Sequence, residues 1–324
     1  MTTERPMASN ETGNLELQKF LSYLRGESTL SNSMPLPASL SLNISNKLKM
    51  LSPIRSLAKV LYTGLDKLDV IVNLNTKPSS GWVSDTLIKS DTNASVSKVS
   101  IYLHEVYSRP MVSASVLEDQ NAQVEDVIQE SIASQIAEFE NYSFLYGDGI
   151  TQPKGILKYD IVTSNYTLAS KAIEGITVND GLSSYKKLVE LMDLLPSKYF
   201  YGASWLMSRN VASKLRYMQD SNSGKFIWQN AILPGTPDTL LGYPVAICDD
   251  MPKMLSKEEL AKAKKPVVPI LFGNFYEGYQ IAERPGFKLL KDPFNSKPFV
   301  EFYATKRIGG DVVNHNAIKA LVLN

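Results

Sequence analysis

The sequence predicts a mixed α+β fold, and three observations lead to it. A stretch from Ser115 to Leu157 carries apolar residues at helical spacing over many turns and stops at Gly147-Asp148-Gly149. Alternating segments ending near Leu74 and resuming at Val99 flank a long polar connection, the pattern of an extended hairpin. Between residues 160 and 270 short apolar runs alternate with amphipathic turns, so helices and strands share one unit.

Residues 1 to 12 are polar and aperiodic and read as a leader. Leu17, Phe20, Leu21 and Leu24 then predict a short amphipathic helix ending at Gly26. From Glu27 to Asn46 Pro35 and Pro37 argue against a helix, while Leu36, Leu40, Leu42 and Ile44 are spaced by two or four. This apolar but irregular segment reads as an arm, within residues 1–52, that lays Leu36 and Leu40 on a neighbouring subunit. A strand packed on its own domain is the alternative.

Leu57 to Tyr62 and Leu68 to Leu74 read as strands, and Val99, Ile101 and Leu103 alternate again after a connection dense in Ser, Thr, Asn, Asp and Gly. A loop spanning about 63–104 with no core of its own needs cover from another chain. Trp82 inside it is either an exposed anchor for a partner or buried under its own hairpin. Tyr107 to Val116 reads as one more strand.

In the helix itself Val124, Ile128, Ile132, Ile136 and Phe139 recur at steps of four and three, with Glu125, Glu130, Glu138 and Glu140 between them. One stripe is therefore expected buried and the acids wet. Asn121, Glu125 and Asp126 suit the positive N-terminal end. Tyr142, Phe144, Leu145 and Tyr146 crowd the last turn before the glycines, and Gln152-Pro153-Lys154-Gly155 turns the chain. Gly-Asp-Gly lacks the Lys and Ser or Thr of a phosphate loop and closes a helix where a dinucleotide fingerprint opens one, so it reads as structural.

Ile161 to Leu168 and Ile176 to Val178 look extended, and Asp180 or Ser183 suits the cap of a helix carrying Tyr185, Leu188, Leu191 and Leu194. An apolar strand from Tyr201 to Met207 precedes a helix capped by Ser208, bearing Val211, Leu215 and Met218. Leu233-Pro234-Gly235-Thr236-Pro237 is a rigid loop, and Gly242-Tyr243-Pro244 starts a buried strand. Ile270 to Phe275, Tyr279 to Ala282 and Phe299 to Ile308 are further strands, and the apolar C-terminus predicts a docked one.

Chemistry is sparse. With 324 residues and 44% hydrophobic content the chain can bury a large core, and a formal charge of +1 argues against a dedicated nucleic-acid binder. One cysteine, Cys248, and two histidines, His104 and His315, leave no Cys/His metal set. Cys248 reads as a small core residue and His104 as structural. No apolar run of 18 residues and no signal peptide predict a soluble chain made in a cytoplasm. Asp249-Asp250 resembles a carboxylate pair, but neighbours in a strand face opposite ways, so a solvated strand end is expected. The mixed charges of Lys257 to Lys265 read as a short exposed helix. No catalytic, cofactor-binding or metal residue is assigned.

The acidic-apolar helix, its Phe-Leu-aromatic-Gly-Asp-Gly stop and the following Gln-Pro-Lys-Gly-Ile-Leu resemble the major capsid protein family of tailed bacteriophages, the Hong Kong 97 type. So, in the family's order, do Tyr23 to Glu27, Ser52 to Leu57, Gly81 to Ser84, Leu240 to Val245, Asp250 to Pro252 and Phe272 to Phe275. The resemblance covers nearly the whole chain. It implies a capsid fold with an N-terminal arm (1–52), a segment carrying the extended loop (53–115), a peripheral domain with a spine helix (116–159 and 271–308) and an axial domain (160–270 and 309–324). It further implies hexamers and pentamers of an icosahedral shell around double-stranded DNA, in a virion or prophage particle assembled in the bacterial cytoplasm. Implied partners are sister copies, a portal protein, a scaffolding protein and a maturation protease, with no membrane and no cofactor. The family often carries a scaffolding segment ahead of Tyr-Leu-Arg-Gly-Glu. Here either a separate protein scaffolds or the chain begins after most of that segment.

Expected subunit contacts are Leu36, Leu40, Trp82, Lys89, Pro234, Phe294 and Lys297. Some relatives join subunits by an isopeptide bond between a loop Lys and a peripheral Asn, aided by a Glu. Lys89 suits the first, but Pro298 and Thr305 fall where the family has Asn and Glu, so no covalent link is expected, with Asn295 and Glu301 as a fallback pair. An encapsulin-like compartment subunit is the close alternative. A carboxylate-only α/β enzyme is the distant one.

Overall fold

A computed structural model of the protein describes residues 34–35, 38–73, 96–118, 124–163, 171–178, 185–219, 224–231, 233, 235–255, 259–260 and 266–324. In chain order the elements are β1 (Met34–Pro35), α1 (Ala38–Leu51), α2 (Pro53–Leu57), β2 (Lys59–Tyr62), β3 (Lys67–Asn73), β4 (Val96–Tyr102), β5 (His104–Ser108), β6 (Met111–Ser113), α3 (Ala114–Glu118) and the spine helix α4 (Val124–Tyr146). There follow β7 (Ile161–Val162), β8 (Ile173–Val178), α5 (Lys186–Asp193), β9 (Ser204–Met207), α6 (Arg209–Arg216), β10 (Trp228–Gln229), β11 (Thr239–Leu240) and β12 (Tyr243–Ile247). The chain closes with β13 (Val267–Gly273), α7 (Phe275–Gly278), β14 (Tyr279–Glu283), β15 (Lys288–Asp292), β16 (Phe299–Val312) and β17 (Ile318–Leu323).

Two mixed sheets carry most of the strands, one in the order β1-β15-β16-β14-β2 with β5 and β6 also on β16, the other β10-β11-β12-β9-β13-β17-β8-β7, and β3 and β4 form a separate two-stranded sheet. β16 is the organiser of the first sheet, because its 14 residues pair with β15, β14, β5 and β6 in turn. The docked C-terminal strand is central: β17 lies between β13 and β8. Around it Trp205, Phe272, Leu321 and Leu323 pack with Leu188 and Leu191 of α5 and Val211 and Leu215 of α6.

The spine helix lays Ile128, Ile132, Ala133 and Ile136 on Leu289, Val300, Phe302 and Ala304 of the first sheet. Ile128, Ile132 and Ile136 are buried as expected, but beyond them the stripe departs from the expected one, and the acids are not all wet. The buried row continues from Ile136 to Glu140 and Phe144 in steps of four, so Glu140 is 2% exposed while Phe139, expected inside, is 59% exposed.

The arm also differs from its expectation. From Ala38 to Leu51 it is a helix, and Ile44 and Leu48 enter the same cluster as Ile132 and Ile136. Pro35 and Pro37 forbid a helix only up to their own positions. Once past them, burying two side chains four apart, about 1.5–3 kcal/mol each, overrides the weak helical preference of the Ser and Asn around them. Only Met34 and Pro35 are strand, paired with Leu289 and Lys288 of the chain's own sheet.

Three smaller expectations are corrected. The strand expected from Tyr107 to Val116 breaks at Arg109-Pro110, and α3 starts at Ala114. Ser208 stands at the N-cap of α6, yet its hydroxyl goes to the Pro252 carbonyl at 3.3 Å instead of the helix. Tyr185 occupies the N-cap of α5; Asp180 and Ser183 lie outside the described residues.

The end of the spine helix explains the Gly-Asp-Gly and Gln-Pro-Lys-Gly passages together. A Cβ on Gly147 would lie 1.8 Å from the Pro153 carbonyl oxygen, and one on Gly155 2.4 Å from that of Leu145. The Gly155 N–H donates to the Gly147 carbonyl at 3.0 Å. Between them the Asp148 carboxylate accepts the N–H groups of Ile150 and Thr151 at 2.9 and 3.0 Å. Those donors hold its carboxyl down at about 2.

Candidate assembly surfaces and the charge cluster behind them

Four buried charges join the helices to the first sheet. Arg55 of α2 donates Nε and Nη2 to Glu140 of the spine helix, both at 2.9 Å, and Nη1 to Glu283 of β14 at 2.7 Å. Lys306 Nζ of β16 sits 2.9 Å from the same Oε2 of Glu283 and 4.8 Å from the centre of the Phe287 ring. The Lys306 contact is ionic, since its angle is too poor for a hydrogen bond. None of the four is more than 4% exposed. Burial works to raise the Glu283 carboxyl, but Lys306 and Arg55 outweigh it and hold the group below its ordinary value. Burial lowers Lys306. Two cations face two anions, so the cluster is neutral and fixes α2, α4, β14 and β16 at one angle.

Outside this cluster stands the hairpin. β3 and β4 pair over seven positions, from Lys67 opposite Tyr102 to Asn73 opposite Val96. Leu68, Val70, Val72 and Val99 pack on Ile101, Leu103, Ala282 and Val313, while Ile71 on the other face is 74% exposed. At the root Asp66 accepts from Arg284 at 3.2 Å and from Arg307. Trp82 and Lys89 lie outside the described residues, as do Leu36 and Pro234. Leu40 belongs to α1.

At the far end of β15 the chain turns through Pro293 to Pro298. Asp292 shapes this loop by accepting the Phe294 N–H at 2.9 Å, and Phe294 is left 78% exposed with Lys297 exposed beside it. The side-chain amide of Asn295 donates to Asp292. Glu301 takes the Arg109 guanidinium through both oxygens, and this bond holds its carboxyl below the ordinary range. Pro298 is exposed at the loop's end, and Thr305 lies on β16 opposite Lys288 and Tyr107.

Asp249 and Asp250 lie in the turn after β12; Asp249 is exposed near Arg209, and the Asp250 carbonyl accepts the Tyr146 hydroxyl at 3.0 Å. Among the described residues no group of carboxylates, His and Cys is placed to hold a metal, and no helix is long and apolar enough to cross a membrane. Burial pushes the Cys248 thiol up to about 11, as a core residue requires. His104 shares a cleft with Ser143 and Thr151, but those hydroxyls are taken by the Phe139 carbonyl and by Asp148. The stretch Lys257 to Lys265 falls largely outside the described residues.

Sequence reasoning missed the exposed aromatics of the spine helix, Phe139 and Tyr142, and those before β9 and after α6, Tyr201 at 94% and Tyr217 at 82% exposure. No periodicity flags an aromatic that is left outside.

A family model described as the phage capsid family matches residues 33–323. Among solved structures, the capsid of an empty GTA particle is 32% identical, covering 84% of this chain and 90% of that one with a TM-score of 0.72. The capsid of a native GTA particle is 33% identical over the same shares, with a TM-score of 0.69. A structure from Mycobacterium phage Cain shares the fold at 12% identity, with a TM-score of 0.53 over 84% of this chain and 90% of that one. No curated protein matches in sequence.

Proposed function

Because the chain belongs to the phage capsid family, and is by that membership a capsid shell protein, we propose that it is the major capsid protein of its particle. In this reading it self-assembles into hexamers and pentamers of an icosahedral shell that encloses double-stranded DNA, without catalysis of its own. The observation that carries the proposal is the 32% identity to a particle capsid over 90% of that chain. The physical reading agrees: a hairpin, a peripheral loop and an axial end each present apolar side chains that one copy leaves uncovered, among them Ile71, Phe294 and Tyr201. Sister copies are the cover proposed for them, each subunit burying more than the roughly 1,600 Å² of a standard interface. Trp82, Lys89, Leu36, Leu40, Pro234 and Lys297 are proposed contacts in the same sense. Portal, scaffolding and protease partners belong to this reading, as do the domain limits given above.

Negative-stain microscopy of the purified chain is the direct test. Closed shells, or rings of five and six, are the expected result. A compact monomer under all conditions would overturn it. Shells that enclose a protein instead of DNA would favour the encapsulin-like alternative.

A further inference from the structure

The outer pairs of the hairpin, the turn after the spine helix and the corner between β16 and β17 enclose an open cavity of about 400 Å³. Four lysines line it: Lys98 of β4, Lys154 and Lys158 after the spine helix, and Lys171 ahead of β8. Against them stand two carboxylates, Asp160 and Asp311. Asp311 already accepts the Tyr159 hydroxyl and the Val312 N–H. Lys98 is held at 2.8 Å by Asp69, whereas Lys154, Lys158 and Lys171 form no salt bridge among the described residues.

Lys154 is positioned in advance. Its stem runs along Gly149, where a Cβ would stand only 3.0 Å from the first carbon of that stem, and its Nζ lies 3.9 Å from the centre of the Tyr159 ring. His315 packs edge-on against the same ring at 4.7 Å, and its buried Nε2 has no hydrogen-bond partner. Burial first, then Lys154 and Lys171, push the proton off this imidazole and lower it to about 4. The corner thus has surplus positive charge and a buried nitrogen without a partner.

We propose that this corner binds an oxyanion of the phosphate class, seated between Lys154, Lys158 and Lys171 and against the His315 imidazole. The ammonium groups supply charge-assisted hydrogen bonds, and lysine serves phosphate as a point charge. The donors are side chains; the Ile150 and Thr151 N–H groups after the Gly-Asp-Gly turn are occupied by Asp148, and those of Gly147 and Gly149 by the Ser143 and Gln152 carbonyls. The shared chemistry has two sources, free inorganic phosphate and the backbone phosphates of nucleic acid. This site does not depend on the shell reading.

The chain holds two histidines, His104 and His315, so an imidazole-selective NMR spectrum of the full unassembled protein has one signal set at the site and one control. Inorganic phosphate and a short DNA duplex are titrated separately at constant ionic strength, with chloride as reference. The expected result is a saturable shift of His315 alone, with its titration midpoint rising by about one pH unit as the anion offsets the lysines. In K154Q/K171Q, and in K171Q alone at its exposed position, the affinity falls about tenfold or more. Saturation at lower phosphate than duplex, counted per phosphate, assigns the free anion; the reverse order assigns nucleic acid. A shift that fails to saturate, that chloride reproduces, or that survives in K171Q overturns the proposal.

Discussion

Arg55 holds two buried carboxylates at once, and that makes it the most sensitive single position described. Replacing it by Ala leaves Glu140 and Glu283 facing Lys306 alone, an uncompensated buried charge that costs about 3–5 kcal/mol. Arg55→Lys should recover only part of this, because an ammonium cannot make the two parallel bonds to Glu140. Urea unfolding of the unassembled chain reads both, and an unchanged midpoint in Arg55→Ala would remove the cluster from the stability argument. Protons act at this scale too. The folded carboxyl of Glu283 sits below its ordinary value, so its stabilisation is present above the unfolded carboxylate range and is lost as pH falls through the folded value. His315 works in the same direction at higher pH: between 6.5 and about 4 the unfolded chain takes up a proton that the folded imidazole refuses. Melting temperature should therefore decline from pH 7 toward 4, and His315→Asn should flatten the upper part of that slope. A slope identical in both chains would show that His315 does not contribute. None of this was legible beforehand. Glu140 looks like Glu138 in the sequence, and its partner lies 85 positions away.

Elements were legible where the deciding contacts are local and illegible where they are distant. The stop of the spine helix is a case of the first, since Gly147, Pro153 and Gly155 meet within one turn. Helix α1 is a case of the second, because Ile44 and Leu48 are helical for the sake of Ile132 and Ile136, which no window around them contains. The hairpin combines both: its strands were readable from alternation, while its root depends on Asp66 reaching Arg284 and Arg307 more than 200 positions on. Exposed ion pairs are worth about 1 kcal/mol or less, so Asp66→Ala should leave global stability nearly unchanged. It should instead speed amide exchange in β3 and β4, and high salt should do the same to the native chain. Exchange unchanged by either would show that packing on Ala282 and Val313 suffices. A stronger test closes the hairpin early, joining Asn73 to Val96, which already face each other, through an Asn-Gly turn. The shortened chain should keep its melting temperature within a few degrees, roughly 1 kcal/mol, and form no shells. Normal shells would mean that the removed segment makes no necessary contact.

At the scale of the whole molecule, uncovered apolar side chains lie at several separate places, with Ile71 on the hairpin, Phe139 on the spine helix, Phe294 on the peripheral loop and Tyr217 beyond α6. One partner on one face cannot cover them all, which is the demand of a closed surface and not of a simple dimer. The order of the second sheet, with the C-terminal β17 between β13 and β8, was not readable, because those pairings join residues far apart in the chain. What joins the copies is the last question, and chemistry constrains the answer. An isopeptide bond needs a free amide to be attacked and a base to take the amine's proton. Pro298 has no side-chain amide and Thr305 no titrating base in the neutral range. The fallback pair is no better placed, since the Asn295 amide is bonded to Asp292 and the Glu301 carboxylate is held ionised by Arg109, which makes it a weaker base. On this chemistry the expectation is that many modest non-covalent contacts hold the particle together. Boiling mature particles in detergent should accordingly release a single band at the mass of one subunit. A ladder of covalent oligomers would show instead that a lysine of one copy finds an amide and a base in another, and Asn295→Ala and Glu301→Gln would identify whether these two residues supply them.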